Sequence, residues 1–156
     1  MHLVRIGVLL LAGILSAPPA HGDAPQLGAR PADAWVKLLD SPQRVAGLKI
    51  DEVVARLGLR PGNTVADIGA GAGAFEGALA AAVSTDGTVY AVDIDQGLLD
   101  HISQRAKQVG LNNVRVVLGK YTDPALPVRT VDVALIYDVL HHIEARDEYL
   151  KNLATY

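Results

Sequence analysis

The 156-residue sequence contains no cysteine and no run of basic residues. Without cysteine, the chain cannot form disulfides, use a thiolate nucleophile, bind zinc through thiolates or carry a lipid on an N-terminal cysteine. Its 14 Lys and Arg residues are scattered among 17 Asp and Glu, and the formal net charge is -3. A nucleic-acid-binding surface needs clustered basic residues. The composition therefore argues against a nucleic-acid partner.

Long hydrophobic runs are also scarce, and the clearest one covers residues 6–15. It follows Arg5 and precedes a segment of small residues and prolines, which is the pattern of a secretory signal peptide. Ten apolar residues are too few for a stable membrane span, which takes about 20. We therefore expect a signal peptide over residues 1–22, cleaved before Asp23, and export to the periplasm or the medium. A membrane anchor is the alternative.

The remainder of the chain divides into a short segment and one domain. Residues 23–44 form an N-terminal segment, in which "DAWVKLLD" (33–40) predicts a short helix. The domain covers residues 45–156 and begins with an amphipathic helix, since apolar residues recur at helical spacing from Ile50 to Leu57.

Short apolar strands then alternate with helical patterns. Strands of this kind, rich in Val and Ile, belong to parallel sheets that are covered by helices on both faces. The fold class is therefore α/β, with a partial parallel sheet in a Rossmann-like three-layer αβα arrangement. The predicted strands are residues 64–68, 88–93, 113–118 and 131–137.

A glycine-rich turn, "VADIGAGAGAF" (65–75), joins the first of these strands to an Ala-rich helix predicted over residues 73–83. Glycine permits positive φ and lets a ligand approach the backbone closely, and the helix N-terminus attracts an anionic group. "GAGAGA" fits the dinucleotide pattern G-x-G-x-x-A, and Asp93 lies 19 residues after Ala74, where a ribose-binding acid belongs. The spacing alone therefore leaves NAD(P) and an adenosyl ligand both open.

Four acids favour the adenosyl ligand. They lie at or just past the carboxyl ends of the four predicted strands, and these ends meet in one crevice of an open α/β sheet. Carboxylates there would oppose the pyrophosphate of a dinucleotide but would stabilise the sulfonium and ammonium groups of S-adenosylmethionine. The four are Asp67, Asp93, Asp123 and Asp138.

Taken together and in order, "VADIGAGAG", "VYAVDID", "GKYTDPALP" and "VDVALIYDVLHHI" resemble the motifs of class I S-adenosylmethionine-dependent methyltransferases. The resemblance covers about residues 45–153 and implies a methyltransferase enzyme with the strand order 3-2-1-4. The cofactor-binding residues that we predict are Asp67, Gly69, Ala70, Gly71, Gly73, Asp93, Ile94, Asp123 and Asp138.

The resemblance also implies roles for these residues. Asp67 would hold the methionine ammonium side, and the three glycines would let the backbone approach the methionine and the ribose. Asp93 would accept both ribose hydroxyls and Ile94 would pack on the adenine. Asp123 would accept the adenine amino group, although Gly119 and Lys120 occupy the place where the family more often has that acid, and Tyr121 is an alternative contact.

The segment "YDVLHHIE" (137–144) contains two adjacent histidines between acids. Adjacent histidines point in different directions, and no third distal ligand is evident, so no metal site is predicted. His141 or His142 could act as a general base on the acceptor, because histidine titrates near neutral pH. The catalytic residues and the methyl acceptor, a small molecule or a protein side chain, are not identified by the sequence.

The methyltransferase sheet implied by the resemblance has seven strands, whereas four are predicted here. The fourth would then be an exposed apolar edge, which folded proteins normally avoid. We expect that the sequence is a fragment of a longer chain. A partner or second copy that covers the edge is one alternative, and a reduced, non-catalytic binding protein is another. An NAD(P)-binding oxidoreductase domain stays open as the alternative function.

Overall fold

The computed structural model describes residues 31–156, in which a parallel sheet lies between two layers of helices. The predicted signal peptide and residues 23–30 of the N-terminal segment lie outside the described residues. The elements, in chain order, are α1 (Ala32–Leu39), α2 (Pro42–Gly47), α3 (Ile50–Arg56), β1 (Thr64–Ile68), α4 (Glu76–Val83), β2 (Thr88–Asp93), α5 (Gln96–Gln108), β3 (Val114–Leu118), β4 (Val133–Ile136), a 3₁₀ turn (Leu140–His142) and α6 (Arg146–Leu153).

The sheet has the strand order β3-β2-β1-β4, and each neighbouring pair is parallel. β1 is central and pairs with β2 on one side and β4 on the other, so that Val65 lies beside both Val89 and Val133. Four of the five β1 residues are buried. This arrangement confirms the α/β prediction and the strand order.

Alternate residues of the strands enter two separate hydrophobic cores. Val65 and Val89 face the core formed with α3, α4 and α5. Ala66 and Ile68 face the core formed with α6 and the loop before β4. A side-chain period of two with apolar residues on both faces is the pattern of a covered parallel sheet, and it explains why the strands are nearly continuous in apolar residues.

Helix boundaries follow local chemistry. The Asp95 side chain accepts hydrogen bonds from the backbone N–H groups of Gly97 and Leu98, at 2.8 and 3.3 Å, and so caps α5. α4 begins at Glu76 rather than at the predicted residue 73, because Gly73 has φ +84° and still belongs to the turn.

The N-terminal helices pack on the domain. α1 begins beside Gly97 of α5, where an added Cβ would lie 2.5 Å from the Cβ of Ala32. Asp40, which follows α1, forms an ion pair with Arg105 of α5 at 3.5 Å, and its carboxylate lies 3.4 Å from Nε2 of His101. The short helix α2 was not predicted. These contacts place α1 and α2 next to the carboxyl ends of the central strands.

β4 is an edge strand in the described part of the chain, as predicted, but its side chains are covered. All four of its residues are at most 7% exposed, because they contact both cores. A partner is therefore not needed to bury these side chains. Among the helices of residues 31–156, none has the length and apolar character needed to cross a membrane.

Candidate functional site

A cavity of about 600 Å³ opens at the carboxyl ends of β1, β2 and β4. Its volume is in the range of small-molecule and cofactor pockets. One side, here called the cofactor half, consists of the β1–α4 turn, the end of β2 and the loop after β3. The other side, here called the acceptor half, consists of α1, α2 and the segment after β4. The cofactor half is lined by Asp67, Ile68, Gly69, Ala70, Gly71, Ala72, Ala74, Phe75, Val92, Asp93, Ile94, Asp95, Gln96, Leu98, Gly119, Lys120 and Tyr121.

The β1–α4 turn brings backbone to the cavity wall. Gly69 and Gly71 have φ +73° and +58°, in the left-handed region that favours glycine. The N–H groups of Gly69 and Ala70 donate to the carbonyl of Val92 on β2, at 2.8 and 3.0 Å. A Cβ on Gly69 would lie 2.5 Å from the Val139 side chain. The turn is therefore pinned between β2 and the acceptor half, with no room for a side chain at Gly69.

Gly73 has a different task from the other two glycines. It does not line the cavity, and a Cβ there would lie 2.9 Å from Ile102 and 3.1 Å from Oε2 of Glu76. This glycine allows close packing beneath the turn. Its predicted contact with the cofactor is not supported by this placement.

Asp93 closes β2 and lies directly against the glycine turn at the cavity wall. Its Oδ2 accepts from the Gly71 N–H at 2.9 Å, and its Oδ1 accepts from the Asp95 N–H at 3.0 Å. Burial raises the pKa of Asp93, while these backbone donors oppose that rise. Each carboxylate oxygen has two lone pairs, so both can still accept a hydroxyl from a ligand. Ile94 lies next to it in the wall.

Asp67 lies at the floor of the cofactor half and is only 3% exposed. Burial raises its pKa to about 7; a hydrogen bond with Glu76 opposes the rise and the charge of Asp93 adds to it. A cation in the cavity would favour the ionised form of Asp67, because opposite charges at short range stabilise each other.

Asp138 lies across the cavity, at the end of β4. It has φ +55°, and its carboxylate lies 3.5 Å from the Arg44 guanidinium of α2. The lining also includes Asp95 and two basic residues, Arg44 and Lys120. Four carboxylates thus face two cations, an excess of negative charge that still favours a cationic ligand, although less than the acids alone would indicate.

The structure does not bring Asp123 into the cavity wall. Its Oδ1 accepts from the Ala125 N–H at 2.6 Å and from the Tyr156 hydroxyl at 2.8 Å, so it holds the loop before β4 against the end of the chain. The adenine contact at Asp123 stays a prediction. Lys120 and Tyr121, which do line the cavity, occupy that side instead.

The acceptor half mixes apolar and basic side chains. His142 lines it and His141 does not, although the two rings are in contact, tilted by 43° with centroids 3.9 Å apart. Burial and the neighbouring His141 lower the pKa of His142, while Asp138 opposes this. A neutral imidazole at neutral pH can accept a proton. The half is lined by Trp35, Leu39, Arg44, Leu48, Tyr137, Asp138, Val139, His142, Ile143 and Tyr149.

Several of these residues were missed by sequence reasoning. Arg44 and Leu48 belong to a region where no pattern indicated a site. Tyr149 lies in the charged helix α6 but is 4% exposed, and burial raises its pKa. Leu150 and Leu153 within "RDEYLKNL" predicted that this helix faces inward, but no pattern indicated that Tyr149 lines a cavity. No group of three His, Asp or Glu residues within 31–156 is arranged to hold a metal ion.

The parallel sheet, the glycine turn and the acid that closes β2 define a Rossmann-like domain with a cavity for a ligand of nucleotide type. Residues 65–156 match the family model described as a methyltransferase domain. The chain belongs to this methyltransferase family, which confirms the resemblance found in the sequence.

Two curated relatives and one solved structure show the extent of the similarity. Nocamycin O-methyltransferase of Saccharothrix syringae is 38% identical over 74 residues, which are 47% of this chain and 26% of that protein. Aklanonic acid methyltransferase of Streptomyces sp. (strain C5) is 31% identical over 74 residues, 47% of this chain and 34% of that protein. A SAM-dependent methyltransferase from Aquifex aeolicus aligns with TM-score 0.74 at 28% identity, over 81% of this chain and 66% of that one. The chain spans about a quarter to a third of the length of the two curated relatives.

Proposed function

We propose that this chain binds S-adenosylmethionine in the cavity and uses it to methylate a small molecule. The observation that carries the proposal is the pairing of the Gly69–Gly71 backbone with Asp93 across the cofactor half. A turn without side chains lets a ligand lie against the backbone, and Asp93 keeps acceptor sites for two ribose hydroxyls. Asp67 supplies a buried carboxyl beside the expected ammonium group. Family membership supports the same ligand.

When bound, S-adenosylmethionine supplies a methyl group. The acceptor takes it by in-line displacement at the methyl carbon, and the sulfonium sulfur is the leaving group. The chain's own part is to hold the two molecules in line and to exclude water, and such positioning is a large share of catalysis. We infer that His142, which lines the acceptor half, receives the proton that an acceptor hydroxyl releases as its oxygen attacks. Arg44 would stabilise negative charge on the acceptor before the attack.

The acceptor half supports an apolar acceptor with an ionisable group. Trp35, Leu39, Leu48 and Ile143 offer apolar surface, whereas Arg44 and His142 are the polar groups that could orient a hydroxyl or carboxyl. The two curated relatives are named for methylation of nocamycin and aklanonic acid. We therefore infer a hydroxylated or acidic small molecule rather than a protein side chain.

The cofactor proposal is tested by calorimetric titration with S-adenosylhomocysteine and, in parallel, with NAD. Binding of S-adenosylhomocysteine alone is expected. Binding of NAD alone would overturn the proposal in favour of an oxidoreductase domain, which the glycine spacing by itself allows.

The acceptor proposal is tested by transfer of labelled methyl groups to a panel of phenols, enols and carboxylic acids. On any acceptor found, His142→Ala is expected to lower kcat about 100-fold, the usual contribution of a general base. His141→Ala is the matched control, because its ring lies next to His142 but does not line the cavity. Equal loss in both variants would contradict the base assignment. Binding without transfer to any acceptor in the panel would favour a non-catalytic binding protein.

We also propose that the protein is exported, on the support of the signal-peptide pattern in residues 1–22. S-adenosylmethionine is made in the cytosol. An exported protein would therefore bind it only if the cofactor reaches the exported protein or if the binding site faces the cytosol. N-terminal sequencing of the protein from fractionated cells tests the proposal. A mature chain that begins at Asp23 is expected, whereas a chain retained in the cytosol with residues 1–22 would overturn it.

A further inference from the structure

Glu76 is a buried acid for which the proposed reaction has no role. It is the first residue of α4, directly under the glycine turn, and is 3% exposed. Both of its carboxyl oxygens are buried, and no donor group of another residue within 31–156 hydrogen-bonds to them. A buried carboxylate without donors is strongly disfavoured. The site therefore favours the neutral acid.

The neighbouring group that explains this burial is Asp67. A hydrogen bond between the two carboxyl groups lowers the pKa of Asp67 and raises that of Glu76, and two carboxyl groups can share such a bond only when a proton lies between them. Gly73 makes room for the pair, because a Cβ there would lie 3.1 Å from Oε2 of Glu76. The conformation of the turn and the position of Glu76 are thus linked.

Charges on the surrounding elements determine which of the two acids keeps the proton. On β2, Asp93 raises the pKa of Asp67; on α5, Arg105 lowers that of Glu76. Burial nevertheless raises the pKa of Glu76 well above its usual value, whereas that of Asp67 rises to about 7. Asp67 lines the cavity and Glu76 does not. The ionised member that faces a ligand is therefore Asp67.

We propose that Glu76 is a positioning residue, a neutral carboxylic acid whose O–H donates to Asp67 and holds the Asp67 carboxylate towards the ammonium group of the bound cofactor. The inference rests on the proposed function. It adds a residue to the site and predicts how cofactor affinity depends on pH.

The sign of the pH dependence follows from linkage. A cation beside Asp67 favours its ionised form, so binding releases the proton that Asp67 holds below about pH 7. Affinity therefore rises with pH, and the Kd for S-adenosylhomocysteine is expected to be about tenfold higher at pH 6 than at pH 8. In the ligand-free protein a raised folded pKa has the opposite effect, because folding then binds a proton and stability is lost as pH rises towards 7.

The experiment measures the Kd for S-adenosylhomocysteine by calorimetry at pH 6, 7, 8 and 9 in four proteins: wild type, Glu76→Gln, Glu76→Leu and Asp67→Asn. Glu76→Gln keeps a neutral donor and is expected to follow the wild-type profile within about threefold. Glu76→Leu removes the donor, so Asp67 ionises at higher pH. Its Kd at pH 7 is expected to be about tenfold higher than that of the wild type, and the difference should shrink towards pH 9. Asp67→Asn is expected to bind S-adenosylhomocysteine weakly, and its affinity should not rise between pH 6 and pH 8.

The ligand's own amino group titrates identically for all four proteins, so ratios to wild type remove its contribution. A variant that is merely misfolded would lose affinity by the same factor at every pH. Parallel profiles for wild type and Glu76→Leu, or a flat wild-type profile, would overturn the role of Glu76. Failure of the wild type to bind S-adenosylhomocysteine at any pH would instead overturn the proposed function.

Discussion

The two halves of the cavity are built in different ways. The cofactor half consists mainly of backbone: Gly69 and Ala70 are hydrogen-bonded to β2, and Asp93 is held by two N–H donors. The acceptor half consists of side chains from helices and turns that are far apart in sequence, joined by contacts such as the half-exposed ion pair of Arg44 and Asp138. This difference indicates that the cofactor half selects its ligand through the fold itself. The side chains of the acceptor half, in contrast, can be replaced with little effect on the fold.

The largest effect is expected from removal of Asp93. Asp93→Ala deletes the acceptor for two ribose hydroxyls, and each charge-assisted hydrogen bond is worth about 1.5–3 kcal/mol. The Kd for S-adenosylhomocysteine should rise roughly 300-fold by calorimetry. Asp86→Ala removes the same charge from an exposed turn and should leave the Kd unchanged. Similar Kd values for both variants would show that the cofactor half is not where the ribose binds.

A smaller effect, on the free energy of unfolding, is expected when glycine is replaced by alanine. The effect should be larger at a glycine where a side chain would collide with a neighbour than at one that only needs a positive φ. Gly69 and Gly110 have φ +73° and +75°, but an added Cβ contacts Val139 only at Gly69. Gly110→Ala should cost about 1 kcal/mol of unfolding free energy from the backbone alone. Gly69→Ala should cost about 3 kcal/mol, because overpacking adds to the backbone term.

Urea unfolding measures both costs, and Val139→Ala in the Gly69→Ala background should restore part of the loss. Equal costs at Gly69 and Gly110 would mean that the two halves are not in close contact at this point.

The acceptor half should have little influence on the cofactor. His142→Ala is expected to change the Kd for S-adenosylhomocysteine by less than about threefold, since a partly exposed imidazole next to a ligand contributes at most a modest neutral interaction. Calorimetry at pH 8 is the measurement. A loss comparable with that of Asp93→Ala would place His142 in the cofactor half and erase the distinction.

The smallest effect is expected at the ion pair that joins α2 to the end of β4. The Arg44 and Asp138 side chains are 33% and 59% exposed. Exposed ion pairs contribute about 0–1 kcal/mol, so Arg44→Ala should change the free energy of unfolding by less than about 1 kcal/mol. A larger destabilisation in urea would show that the acceptor half is part of the stable fold.

The sequence was sufficient to predict the fold and the placement of the glycine turn and Asp93 at one edge of the sheet, because these depend on local patterns. Apolar strands, a cap at Asp95 and glycines at the β1–α4 turn are each visible within a few residues. Asp93 could be placed because parallel strands end at the same edge of the sheet.

Other features were not predictable, for physical reasons. Asp123 follows a strand end as expected, yet the cavity lining does not include it, and its side chain accepts a hydrogen bond from Tyr156, 33 positions away. Arg44, Leu48 and Tyr149 reach the cavity only through the packing of α2 and α6, which no local pattern records. In the sequence, Glu76 resembles an ordinary acid at the start of a helix. Its proposed role follows only from its burial beside Asp67, which the sequence does not show.

The most direct test of the account is an amide NMR titration of the ¹⁵N-labelled chain with S-adenosylhomocysteine, followed by the same titration with NAD. The account predicts that S-adenosylhomocysteine shifts the amides of Gly69, Gly71 and residues 93–95, while those of the exposed turn at Asp86 stay in place. It predicts no matching shifts with NAD. Shifts of the glycine turn with NAD but not with S-adenosylhomocysteine would contradict the central claim that this cavity is built for a cationic adenosyl ligand.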